Sequence, residues 1–235
     1  GIGEATARRL ARAGARLALH GRDRACLDAL AGDIGGMVVT ADLCIPAAAA
    51  EAAAKAEAEL GPLDVVVSNA GVGWAGDFTT MEPGDIDRLL AVNLAAPTHL
   101  ARATLPGMVE RGRGHLVLVG SIAGHLGVRG EAVYSAAKAG VVGLAGALAT
   151  EVGPSGVAVS LVSPGVVDTA FFEHRGRPYG RTRPRPIPPE RVAEAVEEAL
   201  RTGRPRALVP SWLEVPVALS VLAPGLYRRL TARYG

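Results

Sequence analysis

The feature that most constrains this chain is a series of short apolar runs that do not alternate with polar residues. MVVT at 37–40, LDVVVSN at 63–69, HLVLVG at 115–120 and VAVSLV at 157–162 each read as a strand buried on both faces. ARLALH at 15–20 and RALVP at 206–210 read as further strands. Helical segments lie between them. They cover 4–13, closed by Gly14; 23–31, with Asp23 as N-cap; 47–60, entered through Pro46 and ended by Gly61-Pro62; 83–111; 131–152; and 190–202. Strands buried on both faces need helices on both sides, and parallel neighbours need right-handed crossovers. The expected fold is an α/β, doubly wound parallel sheet in a three-layer α/β/α sandwich. No linker interrupts the rhythm, so residues 1–235 are expected to form one domain.

Composition narrows the function classes. With 20% charged residues and a net charge of +2, neither disorder nor a basic nucleic-acid surface is expected. Two cysteines, Cys26 and Cys44, exclude a disulfide scaffold and a four-thiolate metal site. The residue pattern holds no His/Cys/carboxylate cluster that would call for a metal. No uninterrupted apolar run approaches the ~20 residues of a membrane span. The opening Gly-Ile-Gly-Glu-Ala lacks the regions of a signal peptide. A soluble, cytoplasmic protein is expected.

Two stretches break the rhythm. Residues 173–189 are rich in Arg, Gly and Pro and read either as a surface insertion or as a lid over a substrate site. Their arginines, at 175, 177, 181, 183 and 185, either meet an anionic carrier or substrate or form a solvated loop. Residues 211–235 are apolar but split by Pro216 and Pro224. They are expected to cap the sheet edge or reach a partner subunit, a peripheral membrane contact being the other reading.

Chemistry concentrates on one predicted helix. Tyr134 and Lys138 lie four residues apart and so share a face. Nearly every other cation is arginine, Lys55 being the one other lysine. A cation roughly 4 Å from a phenol, at an effective dielectric of about 20, is worth about 4 kcal/mol. That predicts a tyrosine pKa lowered by about three units, toward neutrality, which makes a phenol able to exchange protons at physiological pH. Ser121 follows the strand HLVLVG, at the carboxyl edge where open α/β sheets bind ligands. Asn93 lies inside a predicted helix, where asparagine is disfavoured; it is either an exposed accident or a polar group that distorts the helix. His115 opens a strand and reads as structural; His125, in a loop close after Ser121, reads as structural or as a pocket wall.

Asn93, Ser121 and Tyr134-Ser-Ala-Ala-Lys138 together resemble the short-chain dehydrogenase/reductase family. So do Asn69-Ala70-Gly71 after one strand and Pro164-Gly165-Val166-Val167-Asp168-Thr169 after another. Order and spacing match over nearly the entire chain. The resemblance implies a Rossmann fold and an oxidoreductase that moves a hydride between a nicotinamide cofactor and a small ketone or secondary alcohol. It implies Tyr134 as general acid/base, Lys138 as the group that lowers its pKa and holds the nicotinamide ribose, Ser121 as the holder of the substrate oxygen and Asn93 as the holder of a relay water. Val166 and Thr169 would touch the carboxamide of nicotinamide. It also implies a homodimer or homotetramer paired through the helices at 83–111 and 131–152. A catalytically silent, nucleotide-binding regulatory or scaffold member is the alternative.

In this family the first strand leads into Thr-Gly-x-x-x-Gly-x-Gly, which opens a helix that takes the pyrophosphate. Here Gly1-Ile2-Gly3 matches only the end of that motif. The expectation is that residues precede Gly1. Without the central first strand, the strands at 15–20 and 63–69 would face a gap of about 10 Å. The strand ARLALH ends at Gly21-Arg22, where an NAD-preferring member would carry an acidic residue on the ribose. Arg22 can grip a 2′-phosphate instead, which predicts NADP(H) over NAD(H). Asp42-Leu43 resembles the pair that contacts adenine.

Overall fold

A computed structural model of the chain describes residues 1–180 and 182–234; Arg181 of the loop arginines lies outside the described residues. The elements run α1 (Ile2–Arg12), β1 (Ala18–Gly21), α2 (Arg24–Ile34), β2 (Met37–Thr40), α3 (Ala48–Leu60), β3 (Val65–Ser68), α4 (Pro83–Leu90), α5 (Ala96–Glu110), β4 (Gly114–Val119), α6 (Ala132–Val152), β5 (Val157–Pro164), α7 (Phe171–His174), α8 (Pro189–Thr202), β6 (Arg206–Val209), α9 (Glu214–Leu222) and α10 (Pro224–Tyr234). Asp23 caps α2 as expected, its carboxylate accepting the Cys26 N–H at 3.0 Å.

All strand pairs are parallel. They form two groups, β1–β2 and β3–β4–β5–β6. No strand pairing joins the two groups among the described residues.

Strand periodicity distributes the core to two faces. Leu116 and Leu118 of β4, with Val159 and Leu161 of β5, pack against Leu105 and Met108 of α5 and Val141 of α6. Val117 of β4 and Val162 of β5 point the other way, onto Val192 and Val196 of α8. This makes the three-layer α/β/α fold, with α1 and α8 covering one face and α5 and α6 the other.

The long helix expected over 83–111 is interrupted. Residues Ala91–Ala95 form a π-turn between α4 and α5, and Asn93 sits inside it, 1% exposed. Asn93 therefore distorts the helix rather than lying exposed on it. A helix at Ala132–Ser155 is long and apolar enough to cross a membrane by length and composition alone. That qualifies the sequence expectation. Its inner face packs on β5 and holds Tyr134 and Lys138, both buried.

The 173–189 stretch is partly built into the fold. Ile187 pairs with the segment after β5, accepting the Asp168 N–H at 2.8 Å and donating to the Val166 carbonyl at 2.9 Å. In the C-terminal segment Leu213 is buried and packs near Gly165. Val215, Val221 and Leu222 remain strongly exposed.

Candidate active site

The carboxyl ends of the strands open into one cleft of about 1220 Å³. Parallel strands deliver their following loops to this edge together, which is why residues far apart in sequence meet here. Ser121 comes from the turn after β4. It caps a short 3-10 turn, its hydroxyl accepting the Ala123 N–H at 3.1 Å, and is 7% exposed. Tyr134 and Lys138 come from the first turns of α6, at 8% and 4% exposure.

Lys138 does not contact the phenolic oxygen. Its ammonium donates to the Val119 carbonyl at 3.0 Å and stands 5.9 Å from the centroid of the Tyr134 ring. Burial pushes the Tyr134 phenol up to about 12, despite a Ser121 hydrogen bond that lowers it. Burial also pushes the Lys138 ammonium down to about 8. The expected lowering of the tyrosine toward neutrality is therefore corrected for the protein by itself. Desolvation of both groups outweighs their attraction, because the lysine is turned to the backbone rather than to the oxygen.

Asn93 stands one layer behind the cleft. Its side-chain oxygen accepts the Val72 N–H at 3.2 Å, and its amide donates to the carbonyls of Val72 at 2.8 Å and Leu89 at 3.1 Å. The bond to Leu89, four residues back, ties the buried asparagine to the helix turn that leads into the π-turn. Gly71 keeps this packing possible, since a Cβ there would stand 2.9 Å from the Asn93 oxygen.

The opposite half of the cleft is made by Gly1, Ile2 and Gly3 at the start of α1, with Asn69, Ala70 and Gly71 after β3. The first N–H groups of a helix have no intrahelical partner and favour an anion. At Gly3 a Cβ would meet the Asn69 amide at 2.7 Å; at Gly1 its nearest neighbour would be Thr169 at 3.6 Å. Glycine thus lets α1 reach the strand edge and leaves its N-terminus open. Pro164, Gly165, Val166 and Thr169 line the same side, and Arg22, Asp42 and Leu43 line the far end. The Asp42 carboxylate accepts the Cys44 N–H at 3.0 Å, which holds it below the usual carboxylate range; Arg22 and Arg88 add to that lowering. A nicotinamide dinucleotide fits this donor set: the start of α1 would hold its pyrophosphate, and Asp42 and Arg22 would hold its adenosine end.

Neither histidine lines the cleft. His115 bonds the Ser160 hydroxyl at 2.8 Å, and that hydroxyl donates to the Arg204 carbonyl, so His115 Nε2 carries the proton. His125 bonds Ser163 at 3.0 Å. The sequence does not single out Arg88, Glu131 or Phe171, and it marks Arg175 only among the loop arginines. Arg88 approaches Asp42 from α4. Glu131 and Arg175 form an ion pair, 14% and 9% exposed, between the start of α6 and the residue after α7. Phe171 packs 5.6 Å from the Tyr134 ring. Only the glycine at 73 hints at the last contact: a Cβ there would meet Phe171 at 2.7 Å and Arg175 at 2.9 Å.

Parallel sheet, glycine-flanked helix start and a buried Tyr–Ser–Lys group at one strand edge define a nicotinamide-dinucleotide-binding oxidoreductase of the Rossmann class. Comparison with known proteins gives the family. A family profile described as short chain dehydrogenase matches residues 1–179, and the chain belongs to that family. It is similar to the inactive 2-(S)-hydroxypropyl-CoM dehydrogenase 2 of Xanthobacter autotrophicus, 43% identical over 68% of this chain and 71% of the relative. Among solved structures, a short-chain dehydrogenase from Sphingobium yanoikuyae in complex with NADPH superposes with a TM-score of 0.84. It is 31% identical, over 99% of this chain and 91% of that one. A family member from Burkholderia phymatum in complex with NAD gives a TM-score of 0.86 at 25% identity, over 96% of this chain and 91% of that one.

Proposed function

We propose that the protein is an NADP(H)-dependent oxidoreductase acting on a ketone or secondary alcohol. The observation that carries this is the convergence of Ser121, Tyr134 and Lys138 with the open N-terminus of α1 in one cleft. When bound, the dinucleotide supplies or accepts the hydride. The protein's own residues handle the oxygen and its proton. Tyr134 is neutral at physiological pH, so in reduction it donates its proton to the carbonyl oxygen as that oxygen gains charge. The Ser121 hydroxyl holds the same oxygen beside the phenol. Lys138 provides a positive charge behind the ring, where it favours the phenolate left after proton transfer. Asn93 fixes the backbone at Val72, and the resemblance makes it the holder of a water that returns the proton.

Arg22 favours NADP(H), because its guanidinium at the adenosine end can pair with a 2′-phosphate. Relatives of this fold were solved with either NADPH or NAD, so the preference rests on this chain's own residue. Assembly through α5 and α6 fits the exposed small residues Gly143, Gly146 and Ala147 on α6; a stable monomer on sizing would contradict it. The silent-member reading draws on the relative named inactive, but this chain carries all four residues expected for catalysis.

The test is NADPH consumption over a panel of ketones, aldehydes and 3-oxoacyl thioesters. Tyr134→Phe is expected to lose at least about a hundredfold in turnover while still binding NADPH. Full activity in that variant overturns the mechanism. Tight NADPH binding with no turnover across the panel favours the silent reading.

A further inference from the structure

The chain is poor in aromatic residues, with two tryptophans, four tyrosines and three phenylalanines. Tyr134, Phe171, Phe172, Tyr179 and Trp212 all line the one cleft. Four of them form a continuous series leading away from the proton donor. The Tyr134 and Phe171 ring centroids are 5.6 Å apart and tilted by 51°. Phe171 and Phe172 are 5.6 Å apart and nearly perpendicular, at 87°. Phe172 and Tyr179 are 5.2 Å apart at 47°. These separations lie in the range where aromatic quadrupoles attract through tilted and edge-to-face contact.

The wall is held in place by charge rather than by a long helix, since α7 spans only Phe171–His174. Arg175 lies 4.5 Å over the Phe172 ring and pairs with Glu131 at the start of α6. Arg175 also donates to the Arg177 carbonyl at 2.9 Å, so this side presents ring faces and no unpaired charge from Arg175. The exposed arginines at 129 and 177 line the cleft farther out.

The geometry points to a substrate whose carbonyl carries an aromatic ring, with the oxygen at Tyr134 and Ser121 and the ring seated against Phe171 and Phe172. This rests on the oxidoreductase reading and narrows its substrate class. A flat ring can join the series of tilted rings; a short alkyl group fills less of that surface and has no quadrupole to match.

The test compares initial rates of NADPH oxidation with acetophenone and with 2-butanone at saturating NADPH. In the unmodified protein kcat/KM for acetophenone is expected to exceed that for 2-butanone by about tenfold or more. Phe172→Leu, which keeps apolar volume but removes the ring face, is expected to reduce that ratio about tenfold, mainly through the KM for acetophenone. Phe172→Ala is expected to reduce it further. Equal or better use of 2-butanone, or a ratio unchanged in both variants, overturns the substrate class and leaves the oxidoreductase reading standing. Failure to reduce any carbonyl of the wider panel overturns both.

Discussion

The Lys138 ammonium donates to the Val119 carbonyl at 3.0 Å, tying α6 to the end of β4 beneath the cleft. Burial lowers its pKa to about 8 from an ordinary 10.5. Between those values the unfolded chain binds the proton and the folded protein does not, so stability rises with pH across that window. It is lost again as pH falls through about 8. The shift corresponds to roughly 3 kcal/mol. Tyr134 acts in the opposite sense at higher pH: its folded value of about 12 exceeds the ordinary 10, so its contribution fades above pH 10. Urea unfolding of the unliganded protein from pH 7.5 to 10 is expected to show a rise that Lys138→Met lacks. Equal slopes in the two proteins would refute the assignment.

Glu131 and Arg175 are expected to be worth more together than apart. Both side chains are largely buried, so removing one takes from the other its opposite charge in a poorly solvated place. Arg175→Met is expected to destabilise by about 3 kcal/mol, and Arg175→Met combined with Glu131→Gln by clearly less. Denaturant midpoints of the two single variants and the double variant measure this. Additive losses would mean that the pair is not coupled.

Much of this was legible in the chain because it follows from local pattern. MVVT at 37–40 forms β2 with the predicted bounds, and VAVSLV lies wholly within β5, because β-branched apolar runs have few alternatives in a covered parallel sheet. The residues expected at the cofactor all line the cleft, since glycine spacing and strand ends are fixed by backbone geometry. The phenol's ionisation was not legible. Spacing four apart puts Tyr134 and Lys138 on one face but does not say where a flexible lysine ends, and Val119 offers it a carbonyl. Nor could the pairing of Glu131 with Arg175 be read, because it joins residues 44 apart through a loop whose path depends on Phe171 and Gly73.

Gly124 is expected to tolerate no side chain. A Cβ there would lie 2.5 Å from the Lys138 carbonyl oxygen and 2.6 Å from its carbon, both backbone atoms of α6. A helix backbone cannot rotate away as a side chain does, so Gly124→Ala must displace the turn that carries Ser121 from the helix that carries Tyr134. The expected cost is about 1–3 kcal/mol in stability, with a larger fall in kcat than in cofactor affinity. Thermal unfolding and NADPH titration separate the two effects. Unchanged kcat would show that the turn and helix need not touch.

Arg22 is exposed at the far end of the cleft, where the Asp42 carboxylate feels both it and Arg88. A 2′-phosphate placed there meets two cations, and Arg22, standing immediately after β1, is the one the strand delivers. Arg22→Ala is expected to raise the KM for NADPH by about tenfold, in line with loss of a charge-assisted pair worth roughly twice a neutral hydrogen bond. NADH, which lacks that phosphate, should change little. Arg88→Ala should act in the same direction more weakly, through the remaining field. Asp42→Asn should help NADPH slightly, by removing a like charge from the phosphate. Steady-state kinetics with both cofactors decide the matter: equal effects of Arg22→Ala on NADPH and NADH would mean that the guanidinium serves the cleft's fold and not the phosphate.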